Sequence, residues 1–306
     1  MISPLCCRAR LLAASVLASV GAACARHAPE QDVHAEHAAM TPSSMTAAPV
    51  ASDASLPAGA LDVASRLARS PRHGEWAMIR TGPADSVKAW VVYPERATNA
   101  PVVVVIHEIF GLSTWVRGVA DQLAADGYIA IAPDLLTGKA TPAVGSDTLT
   151  QQVATAAIRT LASTDVQRQL AAVGQYGMSL PAAEKRYGTV GFCWGGSTSF
   201  MHAVMSPAGL GAAVVYYGTS PADSLLPRVT VPVLGLYGGE DARVDATVPP
   251  AELAMRNLGK TFEPHTFAGA GHGFLRQQDG QNGANLAAAR QAWPLTIGFF
   301  RTHLGR

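Results

Sequence analysis

The chain has 306 residues, 48% of them hydrophobic and 15% charged, with a formal net charge of +1. A balance that near zero gives no reason to expect nucleic acid or another anionic surface as partner, and the length suits one large domain or two small ones. With 29 Gly and 20 Pro beside ample Val, Ile and Leu, the composition is that of a globular protein with many turns and a sizeable core.

Arg8 and Arg10 precede an apolar run, Leu11 to Ala23, which is too short to span a bilayer and suits the n- and h-regions of an export signal. Residues 1–25 are therefore read as a signal peptide, with two endings open. Gly21-Ala22-Ala23-Cys24 resembles a lipoprotein box, which would place a lipid on Cys24 and tether the protein to a membrane. Ala23-Cys24-Ala25 would equally serve ordinary cleavage. Either ending makes the protein exported, periplasmic or held as a membrane-anchored lipoprotein. Residues 26–58 are rich in Ala, His, Pro, Ser and Thr and lack the large aliphatics needed to offset ordering entropy, so they read as a disordered tether.

The domain proper is placed at residues 59–306. Trp76 to Ile79 and Lys88 to Tyr93 read as strands joined by a turn containing Gly82-Pro83. Pro101 to Ile106 is an unbroken β-branched run, the pattern of a central strand buried on both faces. Helical spacing follows over Trp115 to Asp126, closed by Gly127, and then a second buried strand, Tyr128 to Ala132, ending at Pro133-Asp134. Two helical patterns, Thr148 to Leu161 and Asp165 to Tyr176, lead to a short strand at Tyr187 to Val190 and a helix over Ser197 to Met205. Ala212 to Tyr217, Val231 to Tyr237 and Thr261 to Phe267 are further strands, and Leu286 to His303 is a closing helix. Strand and helix alternate throughout, which predicts an α/β fold: a mostly parallel central sheet with helices on both faces.

The strand-to-helix junction Gly191-Phe192-Cys193-Trp194-Gly195-Gly196 has the spacing of a nucleophile elbow, G-x-S-x-G, with Cys in place of Ser. Such a turn needs small neighbours because the helix packs close to the strand. Taken alone, a Cys there reads equally well as an inert small hydrophobe. Partners are sought at the carboxyl ends of strands, where open α/β sheets carry their active groups. Gly238-Gly239-Glu240-Asp241 and Gly269-Ala270-Gly271-His272-Gly273 follow two later strands, giving the chain order nucleophile, acid, histidine. Asp241 as a mere turn cap and His272 as a solvated or core histidine are the bland alternatives; three suitable residues in this order on glycine-lined loops favour a triad. His272 would be the base for Cys193, and Asp241 would hold its tautomer and stabilise the imidazolium. Glu108, directly after the buried Pro101 to Ile106 run, is costly to leave unpaired. Its loop position suits the Ile109 amide as an oxyanion donor, with the Trp194 amide as the second. Of the four cysteines, Cys6, Cys7 and Cys24 lie in the N-terminal segment, so the domain can form neither an internal disulfide nor a Cys-based metal site. No cofactor or metal is expected.

Together, His107-Glu108-Ile109-Phe110-Gly111, Pro133-Asp134-Leu135, the Cys193 elbow, Gly238 to Asp241 and Gly271-His272-Gly273-Phe274 resemble the dienelactone hydrolase family, over about residues 72 to 304. The resemblance implies an α/β-hydrolase fold and hydrolysis of lactones or esters through a Cys–His–Asp triad. It implies that Glu108 contacts the resting thiol of Cys193 and takes its proton when substrate binds. It also implies that Arg276 meets a substrate carboxylate. A second substrate arginine of that family has no clear counterpart, with Arg159 and Arg168 as candidates, and Trp194 is bulkier than the residue usual after the nucleophile.

The function read from the sequence is hydrolysis of lactones or small carboxylic esters by a monomer whose partner is the small-molecule substrate. The rival reading is an exported binding protein that retained the fold without turnover. Thiol redox chemistry would need a resolving cysteine, which the domain does not contain.

Overall fold

The computed structural model describes residues 53–96, 98–139 and 146–305; the export signal, Cys24 and the greater part of the expected tether lie outside the described residues. Eight strands form one mixed sheet in the order β1-β2-β4-β3-β5-β6-β7-β8. β1 (Gly74–Gly82) and β2 (Asp85–Val92) make an antiparallel hairpin, and β2 also runs antiparallel to β4 (Ile129–Asp134). β3 (Ala100–Ile106), β4, β5 (Ala183–Phe192), β6 (Leu210–Tyr216), β7 (Val233–Gly238) and β8 (Phe262–Phe267) are parallel neighbours. The β-branched run in β3 is buried at every position, as an interior parallel strand must be. Each fully buried Val there contributes about 2 kcal/mol relative to exposure.

Helices cover both faces. α1 (Val63–Leu67), α2 (Thr114–Ala125) and α8 (Ala284–Leu304) pack on one side, sharing a core that joins Val116, Leu123, Phe192, Tyr216, Trp293 and Phe300. On the other side lie α4 (Ser163–Ser179), α5 (Trp194–Met205) and α7 (Val248–Asn257), the last behind the one-turn helix α6 (Ala242–Asp245). α3 (Gln151–Ile158) starts later than its spacing suggests. Thr150 caps it by accepting from the Val153 amide, and the residues before it form a 3₁₀ turn, Ser146–Thr148. No described helix is long and apolar enough to cross a membrane.

Two features depart from the sequence reading. α7 was not among the expected helices; its Pro249-Pro250 pair sits in the first helical turn, where no intrahelical N–H is lost. The packed body also begins before residue 59. Leu56 is buried at 2% exposure, and the Arg66 guanidinium gathers the carbonyls of Asp53 (3.1 Å), Ala54 (2.7 Å) and Leu56 (2.5 Å). That segment is polar in sequence and is held by backbone carbonyls, which composition does not show.

Candidate active site

Cys193 follows β5 and is the N-cap of α5, with φ of +55° and ψ of −118°. This is strained backbone for a residue with a side chain, and the surroundings fix it. The Cys193 amide donates to the Tyr216 carbonyl at 3.1 Å, and the Ser197 amide donates to the Cys193 carbonyl at 3.1 Å. Close approach explains the flanking glycines. A Cβ on Gly191 would fall 1.9 Å from the Gly195 carbonyl oxygen, and one on Gly195 would fall 2.4 Å from the carbonyl oxygens of Ile106 and His107. The thiol is thus half-buried at the head of the sheet.

Asp241 follows β7 and caps α6, its carboxylate accepting from the Val244 amide at 3.4 Å. Its other oxygen meets His272 Nδ1, on the loop after β8. Asn285, buried at the start of α8, clamps that loop: its Oδ1 accepts from the Gly271 amide at 2.9 Å and its Nδ2 donates to the Gln277 carbonyl at 2.7 Å. Burial opposes charging of His272, but the bond to Asp241, then the hydrogen bond and charge of Cys193, outweigh it and push its pKa up to about 10. Burial likewise raises Asp241, and His272 more than compensates, leaving that carboxyl below its ordinary value. Asp241 is thus bonded to the imidazole, and the Cys193 thiol lies near enough to that ring to raise its pKa. The Ile109 and Trp194 amides, at the ends of β3 and β5, donate to no acceptor among the described residues.

Glu108 is buried, and its Oε2 lies 3.0 Å from Arg276 Nε. Desolvation raises its pKa; Arg276 and His272 pull the other way without cancelling that rise. The Arg276 guanidinium also lies over the Phe110 ring, 5.1 Å from its centroid. Among the described residues Glu108 is paired with Arg276, and no hydrogen bond from it to the Cys193 thiol is seen. A buried carboxylate gains more from a guanidinium than from a neutral thiol, and the Cys193 thiol acts on the charge of His272.

The model of the dienelactone hydrolase family matches residues 87–304. A Salmonella typhimurium protein provisionally named carboxymethylenebutenolidase is 30% identical over 268 residues, covering 82% of this chain and 97% of its own. The carboxymethylenebutenolidase of Pseudomonas putida is 31% identical over 207 residues, covering 65% of this chain and 85% of its own. The chain belongs to the dienelactone hydrolase family. A crystal structure from Klebsiella pneumoniae, provisionally assigned to the same family, superposes with a TM-score of 0.66 at 26% identity, covering 76% of this chain and 99% of that one. The fold is the α/β-hydrolase fold, and the protein is a dienelactone hydrolase-like hydrolase.

Against that family background, the departures noted in the sequence find their places. Arg168 is not in the site: it binds Asp85 at 2.7 Å on the β1–β2 hairpin. Arg159 is exposed at the end of α3. Trp194 finds room by stacking on His107, with ring centroids 5.6 Å apart. His107 is fully buried and neutral, its pKa depressed by desolvation. Its Nδ1 lies 2.7 Å from the Glu108 carbonyl, and its Nε2 accepts from the Leu135 amide at 3.2 Å, so the ring fixes the turn that carries Glu108 and Ile109.

One site residue had no sequence signal. Tyr217, directly after β6, has φ of +39° and packs against His272 with ring centroids 5.1 Å apart and planes tilted by 58°. Its hydroxyl is buried without a partner among the described residues, and desolvation with the charge of Glu108 raises its pKa well above the ordinary value. In sequence it is only the last aromatic of a strand.

Proposed function

We propose that the protein hydrolyses carboxylic esters or lactones by covalent thiol catalysis. The observation that carries this reading is the bond of Asp241 to His272, with the Cys193 thiol near that imidazole, at the carboxyl ends of three parallel strands. With its pKa raised, His272 enters the reaction as an imidazolium beside the thiol, which favours the thiolate form of the nucleophile. Cys193 Sγ attacks the carbonyl carbon, a C–S bond forms, and the carbonyl electron pair moves onto oxygen. The Ile109 and Trp194 amides, which have no other acceptor among the described residues, would receive that oxyanion. On collapse the C–O bond breaks and His272 gives its proton to the leaving oxygen. Neutral His272 then takes a proton from water, the hydroxide attacks the thioester, and the thiolate departs with the imidazolium restored.

Glu108 is the control on this cycle. Paired with Arg276 it leaves Cys193 to His272, the armed arrangement; released from Arg276 it would meet the thiol, as the family resemblance implies for the resting enzyme. We also propose export, from the pattern of residues 1–25; the mass of the mature N-terminus tests it and shows whether Cys24 carries lipid.

The test of function is hydrolysis of a panel of p-nitrophenyl esters and lactones by the wild type and Cys193→Ala. Turnover by the wild type alone is the expected result. Turnover that survives in Cys193→Ala contradicts the covalent mechanism, and no turnover with retained ligand binding favours a binding protein.

A further inference from the structure

The turn that carries Glu108 and Ile109 is held at both of its ends by residues at and beyond the end of β4. Within the turn, the Gly111 amide donates to the Glu108 carbonyl at 3.2 Å, a bond that leaves the Ile109 amide unused. At the entry, His107 Nε2 accepts from the Leu135 amide at 3.2 Å while its Nδ1 lies 2.7 Å from the Glu108 carbonyl. At the exit, the Leu112 amide donates to Ser146 Oγ at 2.7 Å. That hydroxyl donates to Asp134 Oδ1 at 2.7 Å, and the Ser146 amide donates to Asp134 Oδ2 at 2.7 Å. The Leu136 amide adds a third bond to the same carboxylate, 3.1 Å from Oδ1. Leu112, Asp134 and Ser146 are all buried, so a lost bond there is not made good by bulk water. Chemistry fixes the direction of this relay. A hydroxyl has one proton, and a carboxylate that accepts from three donors takes it, which leaves a lone pair for the Leu112 amide. Gly111 permits the close approach: with φ of +75°, it would carry a Cβ 2.5 Å from Ser146 Cβ and 2.6 Å from its Oγ.

We propose that Asp134 and Ser146 are positioning residues of the reaction: acting through the Leu112 amide, they fix the turn at residues 108–112 so that the Ile109 amide meets the oxyanion. His107 holds the entry of that turn and the Ser146 relay holds its exit. With the exit released, the turn keeps one anchor, and the Ile109 amide gains freedom that the chemistry cannot use. A preorganised donor counts in the transition state and hardly at all in substrate binding, so the loss falls on kcat. A misplacement of about 1 Å is enough for a loss on the order of a hundredfold. The inference rests on the thiol-hydrolase reading for its turnover test; its adduct test needs only a reactive Cys193.

The experiment follows two reactions of Cys193 on the full chain, in the wild type, Ser146→Ala and Asp134→Asn. Hydrolysis of p-nitrophenyl acetate passes through an oxyanion in both acylation and deacylation, so kcat reads the Ile109 amide whichever step is slower. Alkylation by iodoacetamide displaces iodide from a saturated carbon and develops no oxyanion, so it reads only the thiol and His272. Ser146→Ala removes the relay hydroxyl and should lower kcat by about tenfold or more, with KM within about threefold and the alkylation rate within about twofold of the wild type. Asp134→Asn keeps the shape of the side chain, takes away one oxygen acceptor and should move kcat in the same direction. Unchanged kcat in both variants, or kcat and alkylation falling together, overturns the positioning role. Should either variant fail to fold, the other decides. Hexanal separates this inference from the hydrolase reading. Its carbonyl takes the thiol as a thiohemiacetal, the C–S bond forming and the thiol proton passing to the former carbonyl oxygen, and the adduct shields Cys193 from iodoacetamide. Shielding that weakens about tenfold in Ser146→Ala, with no ester turnover by the wild type, would keep the positioning role and remove the hydrolase reading. Turnover at the wild-type kcat in both variants would keep the hydrolase and remove the positioning role. Neither turnover nor shielding in the wild type would remove both.

Discussion

At the scale of single residues, the site depends on charges that burial would otherwise suppress. His272 has its pKa raised to about 10, so its pairing with Asp241 contributes stability that is fully present below the unfolded histidine value near 6.5 and is lost as pH rises through 10. Asp241 is lowered, so its share is present above the unfolded aspartate value near 4 and is lost as pH falls below it. The melting-temperature difference between the wild type and His272→Gln should therefore be largest between about pH 4 and 6.5 and shrink toward pH 10. A difference that grows with pH would reverse the assignment. Arg276→Ala strands a buried carboxylate and should cost about 3 kcal/mol in chemical denaturation, with most activity lost; a neutral effect would show that Glu108 does not need its cation. Tyr217 is the opposite case. Its hydroxyl has no partner, so Tyr217→Phe should leave stability unchanged or raise it by up to about 1 kcal/mol. A loss beyond that would mean the hydroxyl is bonded in solution.

At the scale of elements, the elbow works because β5 and α5 approach more closely than side chains permit. Gly195→Ala puts a methyl 2.4 Å from two main-chain carbonyls that cannot rotate away, so destabilisation of about 3 kcal/mol, with loss of activity, is expected from urea melts. The N-terminal segment is held differently, by one guanidinium collecting carbonyls. Arg66→Ala should free residues 53–58 to proteolysis while the sheet melts nearly as before; unchanged protection would assign the anchoring to the buried Leu56 side chain instead. These two elements also mark the limits of sequence reading. β3 and β4 were legible because an unbroken apolar, β-branched run has few homes other than a buried parallel strand. The elbow was legible because only a close crossing needs glycine at positions 191, 195 and 196. The N-terminal segment and α7 were not, since one depends on carbonyl contacts and the other on where two prolines fall within a turn.

At the scale of the whole molecule, the sheet order brings the carboxyl ends of β3, β5, β6, β7 and β8 to one edge, and each contributes a residue to the site. Cys193, Asp241 and His272 could be found from the sequence because each sits on a glycine-lined loop directly after a strand. The Glu108–Arg276 pair could not, because side-chain partnership across two loops is a tertiary fact. Tyr217 was invisible for the same reason: its positive φ and unanswered hydroxyl exist only once β6 and the His272 loop meet. The central claim joins all of these: the strand ends assemble a thiol nucleophile that forms a covalent acyl intermediate. Rapid quenching of the enzyme in acid during turnover of p-nitrophenyl acetate, followed by peptide mass spectrometry, tests it directly. An acetyl group on the Cys193 peptide, absent from Cys193→Ala and accumulating in His272→Gln, is the predicted result; turnover with no acyl group on that peptide would contradict it.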